Sequence, residues 1–74
     1  MVPHKAKNEL LRQLLKAARV NAGLRQIDVA NRLRVPQSYI AKVEQGERKI
    51  SFIEVLDLCK ALGVDPTELV SRLE

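Results

Sequence analysis

The sequence contains very few of the residues on which catalytic and metal-binding sites usually depend. It has one histidine, His4, and one cysteine, Cys59, so it can form neither an internal disulfide nor a multi-cysteine zinc site. It shows no Ser/His/Asp or Cys/His set, no glycine-rich phosphate loop and no pair of carboxylates placed to share a cleft. We therefore expect no enzymatic activity, no cofactor and no metal site.

Aromatic residues and long apolar runs are also scarce. With one Tyr, one Phe and no Trp, the core of this 74-residue chain must be built from aliphatic side chains. A domain of this size buries only about 60% of the surface that its unfolded chain exposes, which leaves little room for a deep pocket. The sequence has no stretch of about 18 apolar residues that could span a membrane, and its N-terminus lacks the apolar segment of a signal peptide. We expect a cytoplasmic protein, and a lone cysteine agrees with a reducing compartment.

Charge is distributed unevenly along the chain. Residues 1–50 carry eleven Lys or Arg against four Asp or Glu, a net charge of +7, whereas residues 51–74 carry two against five, a net charge of −3. The basic part indicates a polyanionic partner, but an ordinary basic surface without a partner explains the charge equally well. Charge alone does not distinguish these two interpretations, so the sequence motifs are needed.

Helical periodicity begins after a short basic segment. Residues 1–7 show no periodicity, and we predict that they form a flexible basic arm in front of a single domain over residues 8–74. Asn8 is a suitable N-cap for a first helix over about residues 9–22, in which leucines recur on one face.

Two short helices are predicted next, over about residues 26–33 and 37–45. They are separated by a tight break at Arg34 and Val35, and Pro36 suits the first turn of the second of them. Their apolar residues share one face, and the polar residues at the start of the second helix are left outside. Such a pair is typical of a helix-turn-helix, whose second helix enters the DNA major groove.

The remaining residues predict two more helices with clear start signals. Ser51 and Glu54 form the S-x-x-E capping box of a fourth helix, and Asp65 followed by Pro66 opens a fifth helix over about residues 66–73. The apolar face of the fourth helix is predicted to carry Phe52, Val55, Leu56, Cys59 and Leu62. The predicted fold is all-α, a compact bundle of five short helices.

Three segments within residues 10–70 carry recognisable motifs: AARVNAGLRQIDVANRLRV, PQSYIAKVEQGER and VLDLCKALGVDPTELV. They include the E-x-G of Glu44 to Gly46 and an ALGV-x-P-x-EL ending. Together they resemble the Cro and phage-repressor family of helix-turn-helix regulators, the xenobiotic-response-element type. The resemblance implies a lambda-repressor-like domain and a sequence-specific transcriptional regulator of double-stranded DNA, in a prokaryotic or phage setting and associated with the nucleoid.

The resemblance assigns base recognition to the third helix. According to the resemblance, four residues face base edges: Gln37, Ser38, Ala41 and Lys42. The chemistry agrees, because glutamine can bond adenine N6 and N7 and lysine favours guanine O6 and N7. The alternative is that Gln37 and Ser38 are merely solvated residues of a first helical turn.

The same resemblance implies phosphate contacts around this helix. Gln26 matches the family's phosphate-binding glutamine at the start of the second helix, where free backbone N–H groups favour an anion. Further phosphate contacts are expected from Arg25, Tyr39, Gln45, Arg48 and Lys49. Partial packing is the alternative for Tyr39, and a solvated loop is the alternative for Arg48 and Lys49.

Arg19 and Glu44 match a pair that forms a partly buried salt bridge in phage repressors and ties the first helix to the third. Two other positions depart from the family's pattern. Arg34 stands where the family usually has glycine, because the chain turns left-handed there. A residue with a side chain in that conformation costs about 1 kcal/mol. Arg25 replaces the usual Ser, Thr or Asn cap of the second helix. We hypothesise that both arginines exchange stability for phosphate affinity.

Members of the family dimerise, which implies a homodimer with two recognition helices about 34 Å apart on a pseudo-palindromic operator. The expected dimer surface is the fifth helix, with Leu69, Val70 and Leu73, together with the end of the fourth, unless this face packs inside the domain. Two other functions stay open. One is an antitoxin-type module that binds a toxin protein and regulates its own synthesis, and the other is a controller protein of a restriction–modification system.

Overall fold

The computed structural model describes residues 4–74, which form five α-helices. These are α1 His4–Asn21, α2 Gln26–Leu33, α3 Gln37–Gln45, α4 Phe52–Leu62 and α5 Pro66–Leu73. No strand occurs within residues 4–74. The prediction of an all-α bundle of five helices is confirmed, and the bounds predicted for α2, α3 and α5 agree with the structure.

α1 begins earlier than predicted. It starts at His4, so the N-cap predicted at Asn8 is wrong, and residues 4–7, which were assigned to the arm, form the first turn of the helix. The residues from His4 to Asn8 include no glycine or proline, and Lys and Ala favour helices, so nothing there prevents the helix from starting early. Residues 1–3, the rest of the predicted arm, lie outside the described residues.

The core is one aliphatic cluster to which every helix contributes. Its buried members, each at most 7% exposed, are Leu15, Val29, Ala30, Ile40, Val43, Leu58, Cys59, Leu62 and Leu69. Cys59 is fully buried, which confirms that it is a small core residue, and this burial raises the pKa of its thiol.

Phe52 does not take its predicted place on the buried face of α4. Its side chain is 66% exposed, and that of its neighbour Ile53 is 65% exposed. Phe52 is the first residue of α4, and helical side chains lean towards the N-terminus. A side chain at this position leans away from the body of the helix, and the prediction that Phe52 is buried is wrong.

Most helix starts follow their local signals. Ser51 Oγ accepts a hydrogen bond from the Glu54 N–H at 3.2 Å and Glu54 Oε1 accepts one from the Ser51 N–H at 3.0 Å, which completes the predicted capping box. Asp65 caps α5 through its side chain, whose Oδ1 accepts a hydrogen bond from the Thr67 N–H at 2.9 Å. Pro36, predicted in the first turn of α3, is instead its N-cap, with φ −64° and ψ 151°. The prediction is off by one residue because the fixed φ of proline suits both positions.

Arg34 ends α2 in the left-handed conformation that glycine usually adopts. Its φ is 58° and its ψ is 45°, and within residues 4–74 no other residue except glycine has a positive φ. The backbone still closes the helix, because the N–H of Val35 donates to the carbonyl of Ala30 at 3.0 Å. The sequence pattern predicted that the chain turns left-handed at Arg34. The structure shows that the turn keeps this conformation although the residue has a side chain.

Arg34→Gly is expected to raise the free energy of unfolding by about 0.5–1 kcal/mol, because glycine removes the steric cost of the turn but loses more chain entropy on folding. Arg34→Ala is the matched control, since it removes the charge and keeps the strained conformation. Urea unfolding followed by circular dichroism measures both. A loss of stability in Arg34→Gly, or an equal gain in Arg34→Ala, would show that the conformation of Arg34 is not strained.

Candidate nucleic-acid interface

α3 has one face in the core and one face in solvent. Ile40 and Val43 are 2% and 3% exposed, which fixes the rotation of the helix about its axis. The predicted base-reading residues lie together outside this buried stripe: Gln37, Ser38, Ala41 and Lys42. Of these four, Ala41 is half-buried and the others are exposed. The structure therefore presents them as one surface on a rigid helix.

Glu44, near the end of α3, connects α3 to α1. Arg19 donates two hydrogen bonds to its carboxylate, with Nε 2.6 Å from Oε2 and Nη2 3.0 Å from Oε1. The two side chains are 13% and 7% exposed, so the predicted salt bridge is confirmed and is largely buried. The hydrogen bonds to Glu44 raise the pKa of Arg19. Arg19 Nη1 also donates to the Leu24 carbonyl at 2.9 Å, which fixes the chain just before α2.

Gln26 joins this salt bridge to the exposed surface of α3, at Gln37. Its Nε2 donates to Glu44 Oε1 at 3.0 Å, and its Oε1 lies 3.4 Å from the donating Nε2 of Gln37. A predicted phosphate-binding side chain and a predicted base-reading side chain are thus in contact. The sequence gives no sign of the bond to Glu44, because no spacing rule connects residues on different helices.

Arg25 and Asp28 cap the start of α2. Asp28 Oδ2 accepts a hydrogen bond from the Arg25 backbone N–H at 2.8 Å, and the guanidinium donates to the carboxylate at 3.1 and 2.9 Å. These bonds hold the pKa of Asp28 below its ordinary value. A guanidinium has no acceptor, so Arg25 cannot cap as serine does, but Asp28 supplies the other half of the box. The N-terminal cap of α2 therefore keeps one of its two capping hydrogen bonds. The Arg25 side chain is 79% exposed.

A second cluster joins α3, the loop of residues 46–51 and α4. Glu54 Oε2 accepts hydrogen bonds from the Tyr39 hydroxyl and from Arg48 Nη2, the latter at 3.0 Å. The Arg48 guanidinium lies over the Tyr39 ring, 4.6 Å from its centroid. The hydrogen bond from Tyr39, followed by those from Ser51 and Arg48, lowers the pKa of Glu54 to about 2. Burial and the bond to Glu54 raise the pKa of Tyr39.

This cluster bears on the predicted phosphate contacts. Tyr39 is half-buried and its hydroxyl is bonded to Glu54, which supports the packing alternative. A phosphate contact by Tyr39 stays a prediction, and it requires the hydroxyl to leave Glu54. Arg48, Gln45 and Lys49 are exposed. The sequence shows Glu54 only as a capping residue and gives no sign of its bonds to Tyr39 and Arg48.

Acid is expected to destabilise the fold through these carboxylates. The pKa of Glu54 is depressed chiefly by the hydrogen bond from Tyr39, and that of Asp28 chiefly by the bond from Arg25. A depressed pKa contributes stability above the unfolded-state value, and this stability is lost as the pH falls through the folded-state value. The midpoint temperature of thermal unfolding should therefore decrease as the pH is lowered from 4.5 to about 2. It should decrease less in Glu54→Gln. Identical pH profiles for Glu54→Gln and the wild type would contradict the contribution of Glu54.

The three residues of the predicted dimer surface differ in their exposure. Leu69 is 5% exposed and belongs to the core, because α5 packs on α1 and a chain this small needs that leucine inside. This burial supports the alternative that the face packs inside the domain, and a role of Leu69 in a dimer interface stays a prediction. Val70 is 43% exposed and Leu73 is half-buried. Among residues 4–74, the most exposed large apolar side chains that adjoin in sequence are Phe52 and Ile53, at the start of α4.

Within residues 4–74, no helix has the length and apolar character needed to cross a membrane. The same residues contain no group of three or more His, Cys, Asp or Glu side chains that could hold a metal ion. The cavity beside Arg19 and Glu44 has a volume of about 10 Å³, which is enough for roughly one water molecule.

Known proteins resemble this chain in sequence and in structure. The helix-turn-helix family matches residues 15–69. An XRE-family like protein from Pseudomonas syringae pv. tomato str. DC3000 is 43% identical, with a TM-score of 0.91 over 95% of this chain and 85% of that one. The restriction-modification controller protein C.AhdI from Aeromonas hydrophila is 34% identical, with a TM-score of 0.77 over 86% of this chain and 97% of that one. A search of the curated proteins finds no match.

A more distant structure shows a likeness of fold alone. The restriction-modification controller protein C.Esp1396I, solved as a tetramer in complex with its natural 35 base-pair operator, is 21% identical, with a TM-score of 0.82 over 90% of this chain and 88% of that one.

The packing of α2 against α3 and the exposed face of α3 define a helix-turn-helix protein. The chain belongs to the XRE family of these DNA-binding regulators. This confirms the family that its motifs predicted.

Proposed function

We propose that this protein is a cytoplasmic, sequence-specific transcriptional regulator that binds a pseudo-palindromic operator as a homodimer, with α3 in the major groove. The observation that carries the proposal is the exposed surface of α3. Its amide, hydroxyl and ammonium groups stand on a helix whose other face is locked into the core. Such a surface can present hydrogen-bonding groups to base edges at fixed positions.

The base-reading role falls to Gln37, Ser38, Ala41 and Lys42. Gln37 opens α3, and its Nε2 already donates to Gln26, so the orientation of its amide is partly set before DNA binds. A pre-set amide suits bidentate bonding to adenine N6 and N7. Lys42 lies one turn further along and is suited to guanine.

The phosphate-binding role falls to residues on both sides of that surface. Gln26 and Arg25 lie at the start of α2, where backbone N–H groups also favour an anion. Beyond the end of α3, the candidates are Gln45, Arg48 and Lys49. Contacts of this kind position the protein on the duplex and make its affinity fall with salt, without reading sequence.

The homodimer is proposed to form through the start of α4, with Val70 of α5 as a further candidate. Phe52 and Ile53 are each about two-thirds exposed, unlike the leucines of the core. Exposed apolar side chains that adjoin one another are a common mark of a protein interface. The start of α4 also directly follows the loop that carries Arg48, so an interface there would adjoin the proposed DNA surface.

Ile53→Lys is expected to convert the dimer to a monomer and to weaken operator binding by about tenfold or more, because the two half-sites are then no longer bound by linked recognition helices. Val20→Lys is the control, since Val20 is also exposed, at 57%, but lies on α1. Sedimentation equilibrium gives the oligomeric state and gel shift gives the affinity. A wild-type protein that is monomeric at high micromolar concentration would contradict the dimer.

A controller protein of a restriction–modification system is the second candidate, because C.AhdI is 34% identical over most of the chain. Gel-shift selection from random duplexes tests the main proposal, which expects enrichment of an inverted repeat. A footprint of the protein at its own promoter would favour autoregulation. Co-purification with a toxin-like protein would favour the antitoxin alternative. Failure to enrich any sequence would overturn sequence-specific binding.

A further inference from the structure

We propose that Glu54 is an internal substitute for a DNA phosphate, which holds Tyr39 and Arg48 in the free protein and is displaced from them when DNA binds. The effect is to weaken binding to the DNA backbone and to flatten its salt dependence. This inference rests on the proposed function, because it requires that Arg48 contact a phosphate, and it adds the predicted phosphate contact of Tyr39.

The geometry places both donors on one oxygen. Glu54 Oε2 accepts the hydrogen bonds of the Tyr39 hydroxyl and of Arg48 Nη2, while Oε1 accepts the Ser51 N–H at 3.0 Å. The guanidinium stacks over the Tyr39 ring, so the two donors reach the carboxylate side by side. Glu54 itself is fixed by the capping box at the start of α4 and belongs to a different helix from Tyr39.

A phosphate oxygen would compete with Glu54 for the same protons. Tyrosine has one hydroxyl proton, so it cannot donate to Glu54 and to a phosphate at once. Carboxylates and phosphates both accept charge-assisted hydrogen bonds from arginine. If both donors move to a phosphate, Glu54 loses two hydrogen bonds and faces a second negative charge. Contact with the backbone is therefore an exchange of partners and not a pure gain.

The exchange predicts a distinctive salt dependence. A free Lys or Arg that neutralises one phosphate adds about 0.9 to the slope of log K against log salt concentration, because condensed counterions are released. Arg48 already has a counter-ion in Glu54, and the pair together brings almost no net charge to the DNA. Removal of the Glu54 charge should make Arg48 an ordinary phosphate ligand.

The experiment compares the full-length wild type with Glu54→Gln on the selected operator and on a scrambled duplex, by fluorescence anisotropy over a salt series. Glutamine keeps an acceptor for the Ser51 N–H and removes the charge. We expect Glu54→Gln to bind both duplexes about three- to tenfold more tightly at low salt, with a slope steeper by about 0.9 for each phosphate newly contacted.

Asp57→Asn is the matched control, because it removes the same charge one turn further along α4, from an exposed side chain. It should change affinity by less than about twofold and leave the slope unchanged, since the hydrogen bonds of Tyr39 and Arg48 go to Glu54 and not to Asp57. In an Arg48→Ala background, Glu54→Gln should no longer steepen the slope. The proposal is overturned by an unchanged slope in Glu54→Gln, by an equal effect of Asp57→Asn, or by weaker binding of Glu54→Gln, which would mean that Glu54 holds Arg48 in its binding position.

A measurement on the wild type covers the case in which Glu54→Gln does not fold. The ¹³C signal of the Glu54 carboxylate and the ¹⁵N signals of the Arg48 guanidinium should both shift on saturation with duplex, as the pair separates. Unchanged signals at saturation would overturn the inference and leave the proposed function intact. A wild type that binds no duplex at all would overturn both.

Discussion

Replacement of Arg19 by methionine is expected to lower the free energy of unfolding by about 3 kcal/mol, because it leaves the Glu44 carboxylate largely buried without its charged partner. Glu44 is 7% exposed and accepts two hydrogen bonds from Arg19. After the substitution, the hydrogen bond from Gln26 at 3.0 Å is the remaining side-chain contact with that carboxylate among residues 4–74. Methionine preserves much of the apolar stem of arginine, so the loss reports mainly on charge and hydrogen bonding.

In a domain of this size, the loss corresponds to a fall of roughly 15 °C in the midpoint of thermal unfolding. Arg12→Met is the matched control, because Arg12 lies on the same helix and also reaches α3, through the Glu44 carbonyl at 3.2 Å. Its side chain is 28% exposed and its carboxylate partner Glu9 is 53% exposed, so that loss should stay under about 1 kcal/mol. Equal midpoints for Arg19→Met and Arg12→Met would refute the energetic importance of the buried pair.

Gln37→Ala is expected to abolish most discrimination at the base pair that Gln37 contacts. A bidentate contact between an amide and adenine is worth about 1–3 kcal/mol, and a symmetric dimer makes it twice, so operator binding should weaken by about 2–6 kcal/mol. Gln37 is exposed at the start of α3, so its truncation should leave the fold intact. Competition assays with operators substituted at each position measure the effect and identify the base pair.

Gln45→Ala provides the contrast, because it makes the same change at the far end of α3, where a phosphate contact is proposed. It should weaken binding to operator and scrambled duplexes by a similar factor, since phosphate contacts do not read sequence. If Gln37→Ala also weakened both duplexes equally, Gln37 would be a backbone contact and the recognition surface would have to be reassigned.

The helices that could be predicted from the sequence are those with local start signals. α4 starts after Ser51 because a capping box needs only residues three apart, and α5 starts after Asp65 for a similar reason. The start of α1 could not be predicted, because asparagine can cap a helix but does not force one to begin. Nothing near Asn8 excluded a longer helix.

In the candidate site, too, features set by neighbouring residues could be predicted, whereas contacts between separate elements could not. The exposed surface of α3 follows from the spacing of its apolar residues, and the Arg19–Glu44 pair follows from the family resemblance. The bonds that Tyr39 and Arg48 make to Glu54 depend on how separate elements are brought together, and no local pattern encodes them. Periodicity also cannot tell whether an apolar residue such as Leu69 faces its own core or a second subunit.

The carboxylate of Glu44, which accepts hydrogen bonds from both Arg19 and Gln26, separates two kinds of position. Substitution is tolerated at some positions near it and not at others. Gln26 and Arg19 both depend on Glu44, so mutation at any of the three disturbs the scaffold. Ser38 and Lys42 are exposed on α3, and their exchange costs the scaffold little. After a gene duplication, two copies of such a chain can therefore acquire different target sequences through a few substitutions on α3, while their folding stability stays unchanged.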